Sequence, residues 1–449
     1  MANATLFSLG LIFSSIILIT SIFALPISKF TANFPDTQMI LMVNLLRLML
    51  ISQLILSLSA FLTGVLQSHK RFLIPAIAPI LYNLGIIVGI LLLKDRFGIY
   101  SAAWGMILGS LLHALIQISP SKMVGFIIRP TFPFSHRGVM KIISLMPPRS
   151  AALGLNQIER FIGINIASSF VTGSVTIFNF ARQLYILPVT LFGVALGQAS
   201  FPSLSEEINN NASDKFKATL SHSLNQIFFF TLPASAILLV LRVPLVRIVF
   251  GVSDFPWTAT LATSKTLAIF SLSIAPQAAS HLLARAFHAQ KDTKTPLFTS
   301  AVSLVFFAFL SFIFTHTFDF QVIGLAAAMS ISNFLGFFLL YIKTSRLWGP
   351  ISSFKKITNL VLITIATGIF LWLPMRLLDQ FIFDTTRTLP LVILTIIASV
   401  IGGSVYLFLC FLFKTEELKD VVDLINKLGN WRKILGKSHE VIEPATTQE

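Results

Sequence analysis

Four basic side chains lie inside long apolar stretches: Arg47, Arg160, Arg182 and Lys265. Glu159 is the only acid that does. A charge held in hydrocarbon is costly and normally faces a cavity, a partner or water, so each is a candidate for function. Polar companions sit one helical turn away: Asn44 beside Arg47, Asn156 and Gln157 beside Arg160, and Asn179 beside Arg182. A spacing of three or four residues puts each pair on one face of a helix. The three arginines each fall seven or eight residues from the outer end of their stretch, a depth of roughly 10–12 Å at 1.5 Å per residue. Guanidinium groups at a common depth, with amides beside them, suit a wet cationic cavity for an anion, above all a phosphate that accepts bidentate hydrogen bonds. The competing reading is that the arginines snorkel to the outer headgroups. Lys265, nearer the end of its stretch, fits snorkelling better. His113 fits a hydrogen-bonded helix contact better than a ligand or a proton carrier.

The elements that must carry these residues follow from composition. Of 449 residues, 55% are hydrophobic and 11% charged, and the mean hydropathy is +0.83. Soluble domains are about one quarter charged, which excludes a water-soluble enzyme and a disordered or fibrous chain. Apolar runs of membrane-spanning length cover approximately residues 6–28, 39–66, 73–93, 99–119, 146–168, 175–201, 223–241, 260–284, 296–316, 321–342, 357–375 and 388–412. Runs of this length exclude an outer-membrane barrel. The expected fold is therefore all-α, a polytopic membrane protein of about twelve transmembrane helices. The first run follows Met1 to Thr5 with no basic leader and reads as a retained helix, not a signal peptide. Pro147 and Pro148 open the fifth run, and Pro188, Pro233 and Pro276 fall inside later ones, where kinks are expected. The single cysteine, Cys410, excludes disulfides and thiolate metal sites. No phosphate-binding loop, zinc motif or catalytic triad is present, so no cofactor and no metal is expected.

The net charge of +15 is a topology signal. Of the Lys and Arg outside the runs, with Arg149 at the inner end of the fifth run counted among them, 22 fall in the tail and in alternate gaps, against seven in the other gaps. That bias places both termini in the cytoplasm and faces the basic loops toward anionic membrane lipid. No basic patch interleaved with aromatic residues appears, so nucleic acid is not an expected partner. In the tail, Glu416, Glu417, Leu418, Val421, Val422, Leu424, Ile425 and Leu428 have helical spacing, which suggests an amphipathic helix on the inner surface. The chain after about Lys437 reads as disordered.

The sequence also repeats itself. Ser59, Leu62, Lys70 and Pro75 recur as Ser280, Leu283, Lys291 and Pro296 at an offset of 221, and Phe97, Ala103 and Met106 recur as Phe320, Ala326 and Met329 at 223. Six runs lie between the copies, an even number, so the halves share one orientation, as in alternating-access transporters. The expected organisation is an incomplete four-span lobe over 1–120, a cytoplasmic linker over 121–145 and a six-span lobe over 146–343. Two extra spans over 344–413 and a cytoplasmic tail over 414–449 complete it. The first two helices of a six-plus-six plan are missing.

The stretch from Thr172 to Ser205 closely resembles the MurJ/MviN family. So do Asn156 to Ile158, Ala167-Ser168, the turn from Arg71 to Ala76 with Ala78, Pro79 and Asn83, and Lys291 to Pro296. The family comprises the lipid II flippases of bacterial cell-wall synthesis, in a superfamily with multidrug and polysaccharide exporters. The resemblance implies fourteen helices in two lobes plus two, a central cationic cavity, and a place in the bacterial inner membrane. It implies lipid II as partner, with anionic lipid and cell-wall synthesis proteins around it. It runs from the family's third helix onward; if the chain starts further upstream, in-frame DNA there is expected to encode two further spans bearing several arginines, and otherwise the two helices are lost. In the family pattern Ala-x-Arg-Leu-x-x-x-Pro the arginine lines the cavity. Here Gln183 holds that place and Arg182 precedes it, about 100° away around the helix. Thr176 stands where relatives carry a small hydroxyl residue. The candidate diphosphate and headgroup site is thus Arg182, Arg160, Arg47, Gln183, Asn179, Thr176 and Gln157. Two other readings stay open: an exporter of another substrate in the same superfamily, and a non-transporting scaffold for cell-wall enzymes.

Overall fold

A computed structural model describes residues 2–419, apart from 70, 133, 135–136, 252–254, 352–353 and 382–386. The described residues form helices and connecting turns without a strand. Ten helices are long and apolar enough to cross a membrane, or eleven if one bent pair counts as a span. Large apolar side chains cover the outside, with Leu92, Val305 and Phe411 each more than two-thirds exposed. A bilayer is the solvent that accepts such a surface, and helices satisfy every backbone group within it. This is a multi-pass membrane protein. The twelve-run count is not reached among the described residues. The tail expectation from Val421 onward lies outside them.

The chain divides into two compact units, Met1–Ser169 and Phe170–Glu449. The first holds α1 (Ala2–Ile22), α2 (Ala24–Thr31), α3 (Asp36–Ser68), α4 (Leu73–Phe97), α5 (Tyr100–Met123) and α6 (Arg137–Ser168). Its tightest contact joins α4 to α5. Gly85 and Gly89 on α4 face Gly105 and Gly109 on α5, so the two backbones touch. A methyl on Gly109 would overlap the Tyr82 carbonyl, and one on Gly85 the Cα of Gly109. Small residues four apart allow this approach, and van der Waals contact then holds helices together where lipid supplies no hydrophobic drive. Polar side chains join α3 to α5. Ser59 Oγ and His113 Nδ1 share a 2.7 Å hydrogen bond, Thr63 Oγ1 donates to Gln117 Oε1, and Gln117 Nε2 donates to Ser59 Oγ. His113 is thus a helix contact. The end of α6 is held to this unit by Asn165, whose Nδ2 donates to the Phe30 carbonyl, and by Ser168, whose Oγ accepts from the Asn33 amide. The sequence reading instead grouped residues 146–168 with the spans that follow.

The second unit holds α7 (Ser174–Pro188), α8 (Ala195–Asn209), α9 (Ser213–Val240), α10 (Arg242–Phe250), α11 (Trp257–Ser271), α12 (Ile274–Ala289), α13 (Lys294–Phe312), α14 (Gln321–Trp348), α15 (Phe354–Phe381) and α16 (Thr388–Leu412). Between α7 and α8 the chain widens into a π-helical turn, Val189–Val194, directly after Pro188, which has no amide hydrogen to give the ladder. Within that turn Gly193 lies against α12, where a methyl would stand 2.6 Å from the Ala278 Cα. The single run expected over 260–284 is two helices, α11 and α12, bent by 47°. Buried hydroxyls and an amide occupy the break: Asn333 Nδ2 donates to the Tyr185 hydroxyl at 2.9 Å and to Ser273 Oγ at 3.3 Å, and Ser330 Oγ donates to the Ile269 carbonyl. Leu371 of α15 and Ala398 of α16 pack with Leu241, and the Tyr406 hydroxyl donates to the Phe229 carbonyl at 2.7 Å.

Candidate functional site

The seven candidate residues fall into two sets, one in each unit. In the second unit α7 carries four of them. It starts after Gly173, whose φ of 97° is left-handed backbone that glycine adopts without strain. From there Thr176, Asn179 and Gln183 follow at i, i+3 and i+7, so they share one stripe. Thr176 and Gln183 are exposed and Asn179 is half-buried, whereas Phe178, Ala181, Leu184 and Tyr185 form the buried face. Arg182 stands at the flank of that face and is half-buried. The one-residue offset between Arg182 and Gln183 is therefore visible as a difference in burial.

The first unit carries Arg47, Arg160 and Gln157, all exposed. Arg47 on α3 reaches the end of α1, where its Nε donates to the Ser21 carbonyl at 3.1 Å. Arg160 and Gln157 stand on α6 next to the wall of a cavity of about 1180 Å³, lined by Ile19, Phe23, Phe30, Ile158, Phe161 and Ile162, with Lys29, Asn33 and Asn165 as its polar groups. Lys265, read as a snorkelling residue, is exposed on α11.

One polar stripe escaped the sequence reading. On α12, Gln277, His281, Arg285 and His288 recur at i, i+4, i+8 and i+11 between buried residues. A run ending at residue 284 leaves Arg285 among the loop charges, but α12 continues to Ala289. The helical spacing itself was the available signal.

After α12 the chain turns through Lys291, with φ 62°, and Asp292 starts the next helix. Its Oδ1 accepts from the amides of Lys294 at 2.9 Å and Thr295 at 3.0 Å. The Thr295 hydroxyl and these amides hold the Asp292 carboxyl below its ordinary range, because each favours the charged form. A carboxylate whose folded-state value is depressed stabilises above its unfolded value and loses that contribution as pH falls through the folded one. Asp292→Ala should cost about 1 kcal/mol at neutral pH. The wild type should lose the same increment in acid, both read from thermal unfolding in detergent at pH 7 and pH 3.

Comparison with known proteins gives a consistent result. Residues 1–407 match the family model described as "Lipid II flippase MurJ". The chain is 30% identical over 312 residues to a probable lipid II flippase MurJ of Buchnera aphidicola from Acyrthosiphon pisum, covering 68% of this chain and 60% of that protein. It is 28% identical over 425 residues to the probable lipid II flippase MurJ of Thermotoga maritima, covering 94% and 82%. The chain thus spans about three-fifths of the length of the Buchnera relatives it matches. A solved lipid II flippase MurJ in an inward closed conformation superposes with a TM-score of 0.74 at 24% identity, over 90% of this chain and 83% of that one. An inward-facing MATE family transporter of the MOP superfamily superposes at 0.65 and 16% identity, over 80% and 87%. These two likenesses are of fold. With the family model matched along nearly its whole described length, the chain belongs to the MurJ family.

Proposed function

We propose that the chain is a lipid II flippase, a transporter and not an enzyme, which carries the lipid-linked peptidoglycan precursor from the cytoplasmic to the outer leaflet by alternating access. The observation that carries this reading is a half-buried guanidinium, Arg182, within an apolar helix of a chain that belongs to the MurJ family. A guanidinium can take an anion through bidentate hydrogen bonds, and the diphosphate of lipid II is one. Arg182 binds the diphosphate, while Asn179, Thr176 and Gln183 meet the headgroup. In the first unit Arg160, Gln157 and Arg47 form a candidate set of their own. The polyprenyl tail stays in lipid. Unequal binding in the inward and outward states couples the substrate to the motion. The charge bias of the loops puts both termini on the cytoplasmic side of the inner membrane, against anionic lipid.

Depleting the protein in its own cell tests this. The expected result is accumulation of lipid II on the inner leaflet, followed by loss of shape and lysis. Unchanged precursor pools and normal growth would refute the reading. The exposed amide Gln183, where the resemblance implies an arginine, favours a second reading, a membrane scaffold for cell-wall enzymes. In that case depletion would alter cell shape without raising the precursor pool.

A further inference from the structure

The stripe on α12 has the makings of a second anion site. His281, Arg285 and His288 lie on one face, at i, i+4 and i+7. An anion placed among them would meet one guanidinium and two imidazoles able to donate hydrogen bonds. Among the described residues no carboxylate pairs with Arg285, and His281, half-buried, has no hydrogen-bond partner. The guanidinium is also placed by its surroundings. Its stem lies across Gly197 of α8, where a methyl would stand 3.2 Å from Arg285 Cδ and 3.4 Å from Nε. A side chain at position 197 would press on the guanidinium stem and shift it.

Gly197 also fixes the level of this stripe. It is fifteen residues beyond Arg182 along one continuous helical run, Ser174–Asn209, which is about 22 Å along the axis at 1.5 Å per residue. The stripe and Arg182 therefore sit toward opposite ends of the same run. The loop charges put the α12 end on the cytoplasmic side.

We propose that His281, Arg285 and His288 form a phosphate-binding station at the cytoplasmic end of α12, separate from Arg182, that takes a diphosphate group before it reaches the deeper arginine. The inference rests on the flippase reading and adds a loading site to it. The diphosphate has two possible sources, a lipid-linked one and a water-soluble one, and one titration separates them.

The full chain in phosphatidylcholine nanodiscs is titrated with farnesyl diphosphate and, in parallel, with inorganic pyrophosphate, and binding is read by calorimetry. Arg285→Gln should weaken farnesyl diphosphate binding about 10- to 100-fold, the usual effect of losing a charged hydrogen bond. Arg285→Lys should recover part of the loss, and His281→Gln should give a smaller one. Both probes bound alike means that the station reads phosphate alone, whereas preference for farnesyl diphosphate assigns it to lipid-linked substrate. An Arg285→Gln protein that melts as wild type does and binds both probes undiminished would overturn the station, as would a wild type that binds neither. Depletion in cells reads precursor pools without touching Arg285, so failure here leaves the flippase reading intact.

Discussion

Gly109→Val should leave almost no folded protein in the membrane. The α4 and α5 backbones touch at Gly85, Gly89, Gly105 and Gly109, and a single added methyl at Gly109 already overlaps the Tyr82 carbonyl. A side chain that meets another side chain can turn aside, but one that meets backbone must push a whole helix away. Overpacking an ordinary core costs about 1–3 kcal/mol. Separating these helices also breaks the contacts along both glycine pairs, so the expected loss lies at or above the top of that range. A methyl on Gly105 would stand 2.8 Å from the Ile86 carbonyl, and Gly105→Ala should follow in the same direction with a smaller effect. Gly64 on α3 supplies the control, since nothing lies within 4 Å of the place its Cβ would take. Gly64→Ala should be neutral or stabilising by up to about 1 kcal/mol. Membrane yield and thermal unfolding in detergent distinguish these outcomes. A Gly109→Val protein that accumulates and melts normally would contradict the packing.

The second large effect belongs to Arg182. An Arg182→Gln copy should fail to rescue cells depleted of the wild-type protein, although it reaches the membrane in normal amount. Losing one charged hydrogen bond to a diphosphate weakens binding by about 1.5–3 kcal/mol, enough to empty a site that must load at each cycle. Full rescue would remove Arg182 from the site.

The membrane class of this chain was legible because apolar runs of bilayer length need no knowledge of what they pack against. The family was legible from the stretch between Thr172 and Ser205. Rotation about α7 was legible too: the shift of the arginine from position 183 to 182 appears as a half-buried Arg182 beside an exposed Gln183. What the residues did not disclose depends on neighbours. The kink expected from Pro276 appears as the 47° break at Leu272 and Ser273, but the side chains that meet it, Asn333 and Ser330, arrive from α14. The glycines at 85, 89, 105 and 109 were four small residues until α4 and α5 met. Arg285 was misplaced by a span boundary five residues short of the helix end.

The π-helical turn at Val189–Val194 has a consequence for inheritance. Such a turn holds one surplus residue within an otherwise α-helical run. Exchanging a side chain there alters one contact. Deleting a single codon would let the segment relax to ordinary pitch and swing everything downstream around the axis, carrying Gly193 away from Ala278 and Gly197 away from Arg285. Along this segment the genome must preserve length more strictly than lettering.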